Sequence, residues 1–156
     1  MADFPRWLKP VTLWLLAGTV LFLAVQAWQS HGQRARFSAH DGVIEIRRSP
    51  DGHFHWPARV NGRDVDFLVD TGATRTALPA SLAEGLTAIG SVRSDTAGGV
   101  VDGRVVRVDL SLQGGVSAQQ LPVVVLPELQ TPLLGMDVLS RLSFSQTDGV
   151  LRLQKP

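Results

Sequence analysis

Asp70, Thr71 and Gly72 are the residues of this 156-residue chain whose types and spacing point to bond-breaking chemistry. They follow the apolar run Phe67-Leu68-Val69 and lead through Ala73, Thr74 and Arg75 into Thr76-Ala77-Leu78-Pro79. A carboxylate in a turn at the end of a buried strand suits the activation of water, because the strand fixes the group while the loop exposes it. That chemistry normally uses two carboxylates sharing a proton, since two negative charges about 3 Å apart cannot both form cheaply. None of the other ten aspartates lies in a second Asp-Thr-Gly or Asp-Ser-Gly. Asp95-Thr96-Ala97 comes nearest but lacks the glycine that lets the backbone turn and approach a substrate. The economical reading is a homodimer whose two-fold axis sets Asp70 beside its own symmetry mate.

The surrounding sequence predicts short strands that deliver Asp70 to its loop. Val43-Ile44-Glu45-Ile46 is followed by a turn at Ser49-Pro50-Asp51-Gly52 and by alternating Phe54, Trp56, Ala58 and Val60. Asn61-Gly62 is a hairpin pair, after which Val65, Phe67 and Val69 continue the alternation into Asp70. Pro79 opens one short helical turn. Gly98-Gly99 and Asp102-Gly103 interrupt strand-like runs, so this region is a hairpin candidate. Leu121 to Leu126 is a buried strand, Leu133-Leu134-Gly135 closes another, Met136 to Leu142 forms one short helix, and residues 149–153 form a last alternating strand.

The N-terminus is of another kind. After a tail at 1–10, the stretch from Val11 to Ala27 has no charged residue, and Trp7 and Trp28 bracket it. Their separation as a helix is roughly 30 Å, the spacing of two interfacial aromatic belts. Residues 11–28 therefore read as a transmembrane signal anchor of about minimal length; a cleaved signal peptide is the rival, with small residues around Val25-Gln26-Ala27. Positive charge is nearly balanced across the span, Arg6 and Lys9 against Arg34 and Arg36, and the free amine tips the N-terminus slightly inward, so the domain is expected on the non-cytoplasmic, periplasmic side. Residues 29–42 are polar and aperiodic and read as a tether, leaving a domain at 43–156.

Composition narrows the remaining options. A formal charge of +1 and 19% charged residues give no basic surface, so nucleic acid is not an expected partner. Zero cysteines exclude disulfides, thiol catalysis and thiolate metal sites. His53 and His55 share a strand face but lack a third ligand at metal-binding spacing, so no metal and no cofactor is expected.

Three segments in order carry a resemblance: Phe67 to Ala73, the Gly-rich hairpin from Asp95 to Gly103, and the closing motif Leu133 to Leu139. Together they resemble the retropepsin-like, single-lobe aspartic proteases, and most closely a bacterial membrane-anchored group of them, over nearly all of residues 53 to 155. The resemblance implies an all-β, closed barrel-like lobe with one or two short helices, preceded here by a single transmembrane helix. It also implies an aspartic endopeptidase acting on peptide or protein substrates as a homodimer, with Asp70 catalytic. Thr71 would brace the paired loop across the interface, Gly72 would present backbone to substrate, and Ala73 would complete the loop. Leu133, Leu134 and Gly135 would hold that loop from beneath, and Gly98 and Gly99 would form a flap, although an ordinary hairpin turn also explains the two glycines. Viral members carry acidic residues after the alanine and an arginine after the closing glycine. Thr74-Arg75 and Met136-Asp137 stand there instead, so the viral subunit salt bridges are not expected. The reading from another class is a non-catalytic retropepsin-fold module for dimerisation or peptide binding.

Overall fold

The computed structural model describes residues 14–22, 37–40, 42–96 and 99–155. Two compact units divide at Arg36 and Phe37. In the first, residues 14–22 are helical (α1), and Trp14, Leu15, Leu16, Val20, Leu21 and Phe22 are 61–77% exposed. Among the described residues no helix is long and apolar enough to cross a membrane. The span read at 11–28 runs beyond α1 on both sides, into residues outside those described.

The second unit is built almost wholly of strands. They are β1 (Phe37–His40), β2 (Val43–Arg47), β3 (His55–Val60), β4 (Arg63–Val69), β5 (Ala77–Pro79), β6 (Gly90–Thr96), β7 (Gly99–Leu112), β8 (Val116–Leu126), β9 (Leu133–Leu134), β10 (Ser143–Thr147) and β11 (Val150–Gln154). One 3-10 turn, Ala80–Ala83, follows β5, and the short helix α2, Met136–Leu139, follows β9. The larger sheet runs β3-β4-β9-β5-β8-β7-β6, and β3 also pairs with β7, so six of its strands close into a barrel. The expected closed β lobe is therefore present.

Local chemistry explains the joints. Asn61 and Gly62 both take positive φ, 49° and 83°, which is the turn geometry that matches the twist of a two-residue hairpin. β3 and β4 then alternate buried residues, with Trp56 and Phe67 fully enclosed as a directly opposed pair. The Trp56 indole N–H donates to the Gln113 carbonyl at 2.8 Å, so the core's largest side chain leaves no donor unmet. Leu78, Val106, Val123 and Leu134 join the same fully buried cluster.

A second sheet, β1-β2-β11-β10, lies on this core through Ile44, Ile46, Leu151 and Leu153. Two of its strands depart from the sequence reading. Residues 37–40, expected to end an aperiodic tether, pair with β2 from Phe37↔Ile46 to His40↔Val43; residues 29–36 of that tether lie outside those described. The strand β10 was hidden because its five residues are all exposed and offer no alternation. The Asp148-Gly149 turn after it, with φ of 49° and 73°, is the signal that could have revealed it.

Candidate active site

Asp70 stands one residue beyond β4, where the strand has just left its buried register. β4 runs parallel to β9, with Leu68 beside Leu133 and Val69 beside Leu134. This parallel contact crosses from the first hairpin to the chain's closing motif, and it continues into the loop: the Asp70 N–H donates to the Leu134 carbonyl at 3.0 Å. At the loop's next turn the Met136 N–H donates to the Ala73 carbonyl at 2.8 Å. Leu133, Leu134 and Gly135 thus lie directly beneath residues 70–73, and β9 also touches β5 through Leu133↔Ala77.

Within the loop, the Gly72 N–H donates to Asp70 Oδ1 at 2.9 Å, orienting the carboxylate. A Cβ on Gly72 would sit 3.2 Å from that same oxygen, so glycine keeps the space around it open. Asp70 is half-buried, while Thr71 and Gly72 are exposed. Among the described residues the Thr71 hydroxyl makes no hydrogen bond, so it is available to another molecule.

Gly135 is required by contact rather than by backbone angle. A Cβ there would meet the Arg75 carbonyl carbon at 2.4 Å and the Thr76 nitrogen at 2.8 Å. The closing strand and the end of the Asp70 loop are packed backbone to backbone.

Two residues that the sequence reading did not single out complete this brace. Thr76 is fully buried and polar. Its N–H and its hydroxyl both donate to Asp137 Oδ1, at 3.0 and 2.8 Å, and its hydroxyl oxygen accepts from the Gly135 N–H at 3.3 Å. Nothing in a lone threonine and a lone aspartate 61 positions apart announces their pairing. The hairpin β6–β7 pairs from Gly90↔Val105 to Thr96↔Gly99, and Gly99 takes a φ of 112°, open to glycine. Gly98 lies outside the described residues.

The histidines are part of a different cluster. The His55 ring lies between two carboxylates, with Nε2 2.7 Å from Asp51 Oδ2 and Nδ1 3.2 Å from Asp66 Oδ2. Burial pushes the Asp66 carboxyl above its ordinary range, opposed by His55. The His53 N–H, then His55, holds the Asp51 carboxyl below it. Among the described residues no group of three or more His, Asp or Glu side chains could hold a metal ion.

A closed β lobe whose parallel apolar strands β4 and β9 hold an Asp-Thr-Gly loop between them defines an aspartic protease. Residues 56–141 match the model of the family described as "gag-polyprotein putative aspartyl protease", and the chain belongs to that family. Among solved structures it is similar to a retropepsin-like aspartic protease from Rickettsia conorii. The two are 28% identical over 76% of this chain and 94% of that one, with a TM-score of 0.59. It also shares its fold with EIAV protease, solved in complex with the inhibitor HBY-793. There identity is 17%, over 61% of this chain and 92% of that one, with a TM-score of 0.51. No curated protein matches the chain.

Proposed function

We propose that this aspartic protease is a membrane-anchored endopeptidase whose water-activating pair is Asp70 from two identical subunits. The observation that carries the reading is the single Asp-Thr-Gly in the chain, held at the end of β4 with its carboxylate oriented by the Gly72 N–H. One such loop supplies half of a shared-proton pair. In the complete pair, one carboxylate takes a proton from the bridging water as the water attacks the scissile carbonyl. The other, protonated, hydrogen-bonds the carbonyl oxygen and stabilises the charge that develops there. The proton belongs to the pair and not to either residue.

The exposed Thr71 hydroxyl, unspent among the described residues, supports a brace to the second loop. Gly72 gives a substrate backbone close access, and the β6–β7 hairpin is the flap that covers an extended peptide and excludes water. The anchor reading is supported by the apolar side chains exposed along α1 and by the charge-free run from Val11 to Ala27. A domain on the non-cytoplasmic side is the topology that goes with this anchor in our reading, with Arg6 and Lys9 before the run and Arg34 and Arg36 after it.

Asp70→Asn tests the site. The variant should lose cleavage of a peptide library by about 10²- to 10⁴-fold, the range for a positioned acid or base, and lose inhibition by a statine-type transition-state mimic, while still binding substrate peptide measurably. Equal turnover by variant and wild type would remove Asp70 from the chemistry.

A further inference from the structure

Arg75 closes the Asp70 loop with a charge that its own chain does not use. It is exposed, and among the described residues its guanidinium makes no hydrogen bond, ion pair or ring contact. Its main chain has no such freedom. On one side the Met136 N–H donates to the Ala73 carbonyl at 2.8 Å, and on the other the Thr76 N–H donates to Asp137 Oδ1 at 3.0 Å. Between them, a Cβ on Gly135 would lie 2.6 Å from the Arg75 carbonyl oxygen. A pinned backbone therefore presents a free cation beside the catalytic turn.

Strand alternation gives the face on which it stands. The ladder of β5 with β8 begins one residue early, because the Val124 N–H donates to the Thr76 carbonyl at 3.0 Å. Thr76 turns to Asp137 and Leu78 to the main core, whereas Ala77 joins a second, smaller apolar cluster with Val124 and Leu126. Val92 and Val101 of the β6–β7 hairpin pack on that cluster, as do Leu129 and Leu133. Two residues before Ala77, Arg75 falls on the same alternation, at the rim of the apolar floor that the hairpin covers.

The neighbouring charges leave it unanswered. Arg93 and Asp102 are directly opposed across the hairpin, next in sequence to Val92 and Val101 and so on its other face, and they pair with each other at 3.2 Å. Asp137 directs Oδ1 to Thr76. A guanidinium at such a rim suits a carboxylate, which it can meet with two parallel hydrogen bonds.

We propose that Arg75 makes this protease selective for peptides that carry aspartate or glutamate near the scissile bond, beside apolar side chains laid on the covered floor. This rests on Asp70 as the catalytic group and on β6–β7 as its cover. In a two-fold site Arg75 occurs once on each side of the paired Asp70 residues, so the preference extends to both sides of the cut. Water still reaches the rim, which limits the gain to about fivefold in kcat/KM per acidic side chain. Added salt should shrink it further.

The test uses the full-length protein in detergent and a peptide library in which each position flanking the cut carries aspartate, asparagine or lysine in turn. Each variant is read as its own ratio of kcat/KM between acidic and neutral peptides, so a general loss of activity cancels. Wild type should prefer acidic peptides by about fivefold. Arg75→Gln should abolish the preference, and Arg75→Glu should invert it in favour of lysine. Glu128→Gln, which removes an exposed acid beside Leu129, should keep it. If wild type cleaves neutral peptides and Asp70→Asn does not, yet acidic peptides are not preferred, the proposal is overturned and the Asp70 site stands. A preference that survives Arg75→Gln overturns it equally. If Asp70→Asn cleaves as well as wild type, the site itself falls, and selection by Arg75 with it.

Discussion

One oxygen of Asp137 accepts both the backbone N–H and the hydroxyl of Thr76, at 3.0 and 2.8 Å, and so ties the first turn of α2 to the far end of the Asp70 loop. The same hydroxyl accepts from Gly135 N–H at 3.3 Å. Three groups in a water-poor region are therefore satisfied by one another, and each removal leaves a partner stranded. This neutral-to-anion stitch lies within one chain and needs no second subunit to form.

Thr76→Val keeps the shape and deletes the hydroxyl. It should cost about 1–3 kcal/mol, the penalty for leaving a buried polar group unpaired, with Thr76→Ser recovering most of it. Asp137→Asn retains an acceptor oxygen and should lose less than Asp137→Ala. Denaturant melts read the stability. The turnover of each variant, measured where it is fully folded, reads whether the loop has moved. Equal stability for Thr76→Val and wild type would mean that the stitch holds nothing.

Gly135→Ala tests the backbone-to-backbone contact under the loop. The added methyl would enter within 2.4 Å of the Arg75 carbonyl carbon, and no flexible side chain is there to give way. A loss of about 3 kcal/mol, at the upper end for overpacking, is expected, together with a fall in turnover. A melt unchanged by Gly135→Ala would contradict the packing described.

The Asp66 carboxyl gives a pH dependence with a definite sign. Burial raises it from the ordinary 3.8, against the pull of His55, so the folded protein keeps this proton where the unfolded chain has already released it. Stability therefore falls as pH climbs from 3.8 through the raised folded value, and levels off above it. Asp51 runs the other way: its lowered carboxyl contributes above 3.8, and the contribution fades as pH drops below that value. Asp66→Asn should consequently gain on the wild type in thermal melts as pH rises above 3.8. A difference in Tm that stays flat across that range would contradict the burial of the charge.

Much of this fold was legible because hydrophobic alternation and turn chemistry agree along the first hairpin. Trp56, Ala58 and Val60 face the core, Asn61-Gly62 takes the expected turn, and Val65 and Phe67 return to the core. The loop residues Asp70 to Ala73 and the strand Leu133–Leu134 were visible for the same reason, as apolar runs that stop at glycine. What stayed hidden depends on partners distant in sequence. Phe37–His40 is a strand only because β2 pairs with it, and β10 only because β11 does. Thr76 and Asp137 are ordinary residues until the parallel contact of β4 with β9 brings α2 against the loop.

The central claim is that each active site contains two copies of Asp70. Wild-type protein mixed in varying ratio with inactive Asp70→Asn, at fixed total concentration and after subunit exchange, tests it most directly. If each site needs one Asp70 from each of two subunits, activity follows the square of the wild-type fraction, because only wild-type pairs carry a complete site. Activity that falls linearly with the wild-type fraction would mean that one chain holds a whole site by itself, and would contradict the account.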